Sequence, residues 1–171
     1  MSEEKINSKK NLENAFAGES QANRRYLAFA EKAEREGFLQ VSQLFKAAAA
    51  AETIHALNHL RILGKIKSTQ ENLKAAISGE TFEYKKMYPN YLRTAKQEKN
   101  NQAAWSFDVA NQVEKIHAKL FSKNLKALKS NEPIPKLDYF VCSVCGNTIE
   151  NASPEICPVC GASKTKFFKV T

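Results

Sequence analysis

Glu52-Thr53-Ile54-His55-Ala56 and Glu114-Lys115-Ile116-His117-Ala118 are two copies of one phrase. Each follows a shorter one: Gly18-Glu19-Ser20 precedes the first and Gly79-Glu80-Thr81 the second. From lone Glu to second Glu is 33 residues in one copy and 34 in the other. Glu and His at i and i+3 lie on one helix face, so both reach one ion. With the lone Glu from the preceding helix, each copy offers three ligands. Two copies facing each other make a two-metal carboxylate site inside a four-helix bundle.

The surrounding residues agree with that reading. Residues 8–130 read as helix nearly throughout. Leu12, Phe16, Glu19, Tyr26 and Phe29 recur at helical spacing, and Gly37 supplies a stop. Val41, Leu44, Ala48, Glu52 and His55 form the next stripe, which Gly64 ends. Ser68-x-x-Glu71 is a capping box that opens a third stretch, and Pro89 is expected to bend it. Asn100-Asn101 marks a turn before the fourth. Glu19, Glu52, Glu80 and Glu114 fall on the apolar stripes. Burying a bare carboxylate is costly, so each must be protonated, paired or bound to metal, and four in a repeated pattern favour metal over a carboxylate–lysine network.

Hard oxygen ligands with one imidazole per ion suit iron or manganese. Glu52 and Glu114 are the expected bridges, and Glu19 and Glu80 the terminal ligands. Glu83 lies one turn beyond Glu80, where the first copy has Ala22, and reads as a surplus ligand. Tyr26 and Tyr88 share the stripes of Glu19 and Glu80 and are candidates to hydrogen-bond a ligand or pass a proton and an electron. His59, one turn after His55, reads as a supporting or surface residue.

After Asn131-Glu-Pro-Ile-Pro-Lys136, a proline-stiffened linker, the composition changes. All four cysteines fall here, as Cys142-x-x-Cys145 and Cys157-x-x-Cys160. This is tetrathiolate spacing, and so short a piece needs a metal to hold it together. Gly146 and Gly161 let the backbone turn closely so that amides point at sulfur. Spacing alone leaves zinc and iron open.

The chain has 171 residues, 43% hydrophobic and 26% charged, enough for one core plus a small appendage. Its +8 formal charge is spread over helix faces without a basic run interleaved with aromatics, which argues against nucleic-acid binding. No apolar run suits a membrane, and Met1-Ser-Glu-Glu-Lys5 lacks the apolar stretch of a leader, so a cytoplasmic location is expected.

Together these motifs resemble the rubrerythrin family over nearly the whole chain: Ala17-Gly-Glu-Ser20, Ala51-Glu-x-x-His55, Gly79-Glu-Thr-Phe-Glu83 with Met87-Tyr-Pro89, Glu114-x-x-His117 and the cysteine knuckles. The first knuckle departs in reading Cys-Ser-Val-Cys where Cys-Pro is common. The resemblance implies a mainly α fold: a ferritin-like four-helix bundle over 1–130, a linker over 131–136 and a rubredoxin-like Fe(Cys)4 domain over 137–171. It implies a non-haem di-iron centre held by Glu19, Glu52, His55, Glu80, Glu83, Glu114 and His117, and one iron on Cys142, Cys145, Cys157 and Cys160. The activity implied is reduction of hydrogen peroxide to water in an anaerobe or microaerophile, with a rubredoxin or a flavoprotein reductase as electron donor. In this family the position of Glu83 binds one iron when oxidised, and that iron moves to the position of His55 on reduction. Tyr26 and Tyr88 match the family's site tyrosines. A ferroxidase or iron-handling relative would share the bundle without needing the cysteine relay, and a zinc-knuckle binding module would share only the cysteines. A homodimer or larger assembly is expected, with electrons crossing between subunits, because the linker leaves about 18 Å of helix beyond His117 and its prolines disfavour doubling back.

Overall fold

Helix α1, Ser8–Arg35, starts where the side chain of Asn7 accepts a hydrogen bond from the amide of Lys10. It ends at Gly37, whose φ of 84° closes the turn that side chains disfavour. Helix α2, Leu39–Ile62, runs back along it. The interface is lined by small residues: Ala30, Ala33, Ser42, Ala49 and Ala56 are buried. Their size lets the two helices approach closely. Asn23, also buried, donates through Nδ2 to the carbonyl of Ala49 at 2.6 Å and to Thr53 Oγ1 at 2.8 Å, tying the helices across the seam.

The structure, a computed structural model, describes residues 7–130 and 133–171. The reading of residues 1–5 and the first two linker positions lie outside the described residues. The chain divides into two compact units, residues 1–67 and 68–171. The α1–α2 hairpin is the first.

The second unit opens with α3, Thr69–Phe82, and the capping box is present in full: Ser68 Oγ accepts from the Glu71 amide, and the Glu71 carboxylate accepts from the Ser68 amide. The irregularity expected at Pro89 takes the form of a π-helical turn, Glu83–Met87, after which α4 runs over Tyr88–Gln97. The Tyr88 amide donates five residues back, to the carbonyl of Glu83. Pro89 has no N–H to continue the ordinary ladder, and the helix accommodates it by slipping one residue just before it. Helix α5, Asn101–Lys129, packs on α3 and α4 and buries Val109, Val113 and Ala118.

The cysteine-rich end forms a small antiparallel sheet in the order β2-β1-β3, from β1 Tyr139–Cys142, β2 Thr148–Glu150 and β3 Phe167–Lys169. Phe140 pairs with Ile149 on one side and Lys169 on the other. Among the described residues, no helix is long and apolar enough to cross a membrane.

Candidate metal centres

Each cysteine pair sits on a tight turn with a glycine behind it. The Gly146 amide donates to the Cys142 carbonyl at 2.8 Å, and the Gly161 amide to that of Cys157 at 2.9 Å. Both glycines have positive φ, 81° and 73°. The four sulfurs cluster, with Cys142 Sγ 3.7 Å from Cys160 Sγ and Cys145 Sγ 3.7 Å from Cys157 Sγ. Four thiolates about 2.3 Å from a central ion stand about 3.8 Å apart along each tetrahedral edge, which both of these distances match, so the cluster suits a single ion. Burial alone pushes the Cys157 thiol up. Amide hydrogen bonds from Cys160 and Val159 outweigh it and bring the group down to about 7. Cys145 is raised, chiefly by burial. Asn147, buried behind the turn, points its Nδ2 at Cys157 Sγ, 3.6 Å away. No sequence signal singled out Asn147 beyond its place after Gly146.

The two repeated motifs form two ligand triads. Glu19, Glu52 and His55 offer donor atoms within 4.8 Å of one another, and so do Glu80, Glu114 and His117. Two donors on opposite sides of one ion span about 4 Å, so each triad fits a single ion with small adjustment. His55 Nδ1 lies 2.9 Å from Glu52 Oε2, and His117 Nδ1 lies 2.7 Å from Glu114 Oε2. The i, i+3 spacing therefore does what the pattern required. His59 belongs to neither triad.

The second triad is electrostatically loaded. Burial, then a hydrogen bond to Glu114 and the charge of that residue, push Glu80 up to about 7. Its hydrogen bond to His117 holds Glu114 below the usual carboxylate range, and the same bond raises His117. Glu83 stands outside the triad, but burial and the charge of Glu114 raise it. Tyr88 is raised by burial and then by Glu114, Glu83 and Glu80. Three carboxylates and a phenol thus converge on one place, where a cation would relieve their repulsion. Tyr26, by contrast, lies in an aromatic cluster with Phe29 and Phe45, at centroid distances of 6.4 and 6.1 Å.

His117 has a further partner that the sequence did not disclose. Its Nε2 lies 3.0 Å from Oγ1 of Thr148, the first residue of β2, and that hydroxyl donates to the Gly146 carbonyl at 3.2 Å. Lys123 of α5 also bonds Glu150 at 2.6 Å. The cysteine domain therefore sits on the helix of its own chain that carries Glu114 and His117. This differs from the expectation that proline would keep it away. Pro133 and Pro135 favour extended backbone, and ten residues from Lys129 to Tyr139 reach about 33 Å when extended, ample for an 18 Å return.

Comparison with known proteins agrees with this geometry. Residues 10–125 match the rubrerythrin family, and residues 140–168 match the rubredoxin-like domain of rubrerythrin. The chain is 40% identical to rubrerythrin-2 of Clostridium acetobutylicum, covering 91% of this chain and 92% of that protein. It is 33% identical to the rubrerythrin of Nitratidesulfovibrio vulgaris, covering 92% and 91%. Among solved structures, nigerythrin in a mixed-valence state matches with a TM-score of 0.57 and 29% identity, over 99% of this chain and 90% of that one.

Proposed function

This chain belongs to the rubrerythrin family, with a ferritin-like di-iron domain and a rubredoxin-like tetracysteine site, and we propose that it reduces hydrogen peroxide to water. The single observation that carries the reading is the continuity from the cysteine turn to a triad ligand: Gly146 carbonyl, Thr148 hydroxyl, His117 imidazole. A storage or ferroxidase relative has no use for that connection.

When bound, the iron pair supplies the two electrons that cleaving the O–O bond of peroxide consumes. In our reading Glu52 and Glu114 would be the ligands shared by the pair, Glu19 and Glu80 would each hold one ion, and His55 and His117 would complete the set. Reduction of one peroxide to two waters also takes two protons. Glu80, pushed up to about 7, and Glu83, also raised, are suited to hold and release protons near neutral pH. Tyr88 faces the same carboxylates and is placed to donate a hydrogen bond or a proton beside them, while Tyr26 keeps its proposed role on the side of Glu19. Glu83 would be a surplus ligand, able to engage or release the pair as its oxidation state changes. Its π-helical turn is the local irregularity that permits such adjustment. Electrons enter at the cysteine site from a rubredoxin or flavoprotein reductase. The role that this activity would serve is oxidative-stress defence, with the cytoplasm as the expected setting.

The test is steady-state consumption of hydrogen peroxide by anaerobically purified, iron-loaded protein with a rubredoxin-type donor. Donor oxidation matched to peroxide added, two electrons per molecule, is the expected result. Iron uptake with dioxygen consumption but no peroxide turnover would favour an iron-handling role instead.

A further inference from the structure

The two cysteine turns are near copies of each other. Cys142-x-x-Cys145-Gly146-Asn147 and Cys157-x-x-Cys160-Gly161-Ala162 correspond position by position. Their backbones bond alike. The Cys142 amide donates to the Asn147 carbonyl at 2.9 Å, and the Cys157 amide to the Ala162 carbonyl at 2.7 Å. The amide after each glycine serves the second sulfur of its own turn: the Asn147 N–H donates to Cys145 Sγ, and the Ala162 N–H to Cys160 Sγ.

The side chain at the last of these positions breaks the match. Ala162 ends at Cβ. Asn147 carries an amide that crosses to the other turn, with its Nδ2 3.6 Å from Cys157 Sγ. One residue therefore donates to both turns, through its main chain to Cys145 and through its side chain to Cys157. Cys157 gains a third amide donor in addition to the backbone N–H groups of Val159 and Cys160. A metal-bound thiolate only accepts, so the nitrogen of the Asn147 amide, and not its oxygen, faces the sulfur.

This arrangement works against stability. Asn147 is 1% exposed and Cys157 2% exposed. Oδ1 of Asn147 is buried and has no hydrogen-bond partner among the described residues. An unpaired buried carbonyl oxygen destabilises a fold, and an apolar side chain would avoid that loss. Filling space does not account for an amide here. What the amide adds is a dipole with its positive end on sulfur, out of reach of water, where electrostatic interactions are strong.

Such a dipole matters when the charge of the site changes. With iron bound, ferric ion and four thiolates carry one net negative charge. One electron from the donor makes the ion ferrous and the net charge two, with no bond formed or broken. An N–H held against sulfur stabilises the more negative state. We propose that Asn147 sets the potential of the tetracysteine iron: its side-chain amide, shared between the two cysteine turns, raises the reduction potential and so favours uptake of the electron. Asn147 acts through Cys157 and is not itself a ligand.

A redox titration of the Fe(Cys)4 colour in the full chain tests this, with wild type, Asn147→Leu and Asn147→Ala compared. Leucine keeps the branching of asparagine and removes the donor. Alanine is the residue that the second turn already carries. Both variants are expected to shift the ferric-to-ferrous ratio at fixed applied potential about tenfold toward ferric, a fall of about 59 mV for a one-electron couple. A packing role alone gives a different pattern: leucine, which fills the space, keeps the wild-type midpoint, and only alanine moves it. That pattern, or an unmoved midpoint in both variants, would overturn the proposal. If the leucine chain forms no coloured site, the smaller Asn147→Val takes its place with the same two outcomes. The titration uses neither peroxide nor bundle iron, so its result is independent of the activity proposed above.

Discussion

The α1–α2 hairpin and the α3–α5 unit carry the same three ligands and hold them differently. In the first, the His55 side chain is 55% exposed and rests on Glu52. In the second, the His117 side chain is 27% exposed and is gripped at both nitrogens, by Glu114 and by Thr148. The second unit also adds Glu83, on a π-helical turn that the first lacks. The two copies of one repeat thus support their histidines differently, and only the second adds a further carboxylate beside its triad. Ligand identity is shared by the two halves, and the difference lies in what supports each histidine.

That contrast can be broken at several strengths. Removing a bridging charge leaves two cations underneutralised, so Glu52→Ala or Glu114→Ala is expected to abolish bundle iron while the cysteine site stays filled. Metal analysis beside the visible spectrum reads both. Cys142→Ser is expected to leave bundle iron in place but reduce donor-driven turnover by more than about a hundredfold, since electrons lose their entry point. Chemically reduced variant should still react once with peroxide.

Two smaller effects sharpen the difference between the halves. Glu83→Ala should retain the full complement of iron and turn over peroxide about ten- to a hundredfold more slowly. Unchanged turnover would make Glu83 an ordinary helix carboxylate. Thr148→Val keeps the shape of the side chain and removes the hydroxyl from His117. It should slow electron delivery about tenfold with little loss of bundle iron, measured by rapid mixing with reduced donor.

The smallest effect is a pH dependence of metal uptake. In the metal-free protein Glu80 is raised to about 7 by burial and by its contact with Glu114, so it carries a proton below that pH. An ion must displace this proton to bind. Ferrous affinity of the second half is therefore expected to weaken as pH falls from 8 to 6, with proton release on binding detectable in weakly buffered solution. The same group works against folding of the metal-free protein above its ordinary range. A raised carboxylate pKa means the native state holds a proton the unfolded chain has lost, so this contribution to stability fades as pH rises through 7.

Much of this was legible in the residues. Glu-x-x-His and Cys-x-x-Cys fix the chemistry because helix and knuckle geometry convert spacing directly into shared direction. Both triads and the sulfur cluster follow from those local rules. Ser68 and Glu71 announced the start of α3 for the same reason. The π-helical turn was half visible: Pro89 predicted an irregularity, but a missing N–H is compatible with a kink, a break or a slip. Thr148 and Asn147 could not be read, because their roles depend on contacts 31 and 10 residues away in sequence. The return of the cysteine domain onto α5 is not legible in the two prolines, because the extended backbone that disfavours a tight reversal also supplies reach.

The central claim is that peroxide is reduced in the bundle and that the cysteine iron feeds it. It is tested most directly by mixing fully reduced protein with hydrogen peroxide, anaerobically, while following the Fe(Cys)4 absorption. Wild type should regain that colour promptly, as electrons leave the cysteine iron for the bundle. Glu114→Ala, with its cysteine site filled and its bundle empty, should stay colourless on that timescale. Equal rates of colour return in the two proteins would show that peroxide reacts at the cysteine iron itself and would contradict the account.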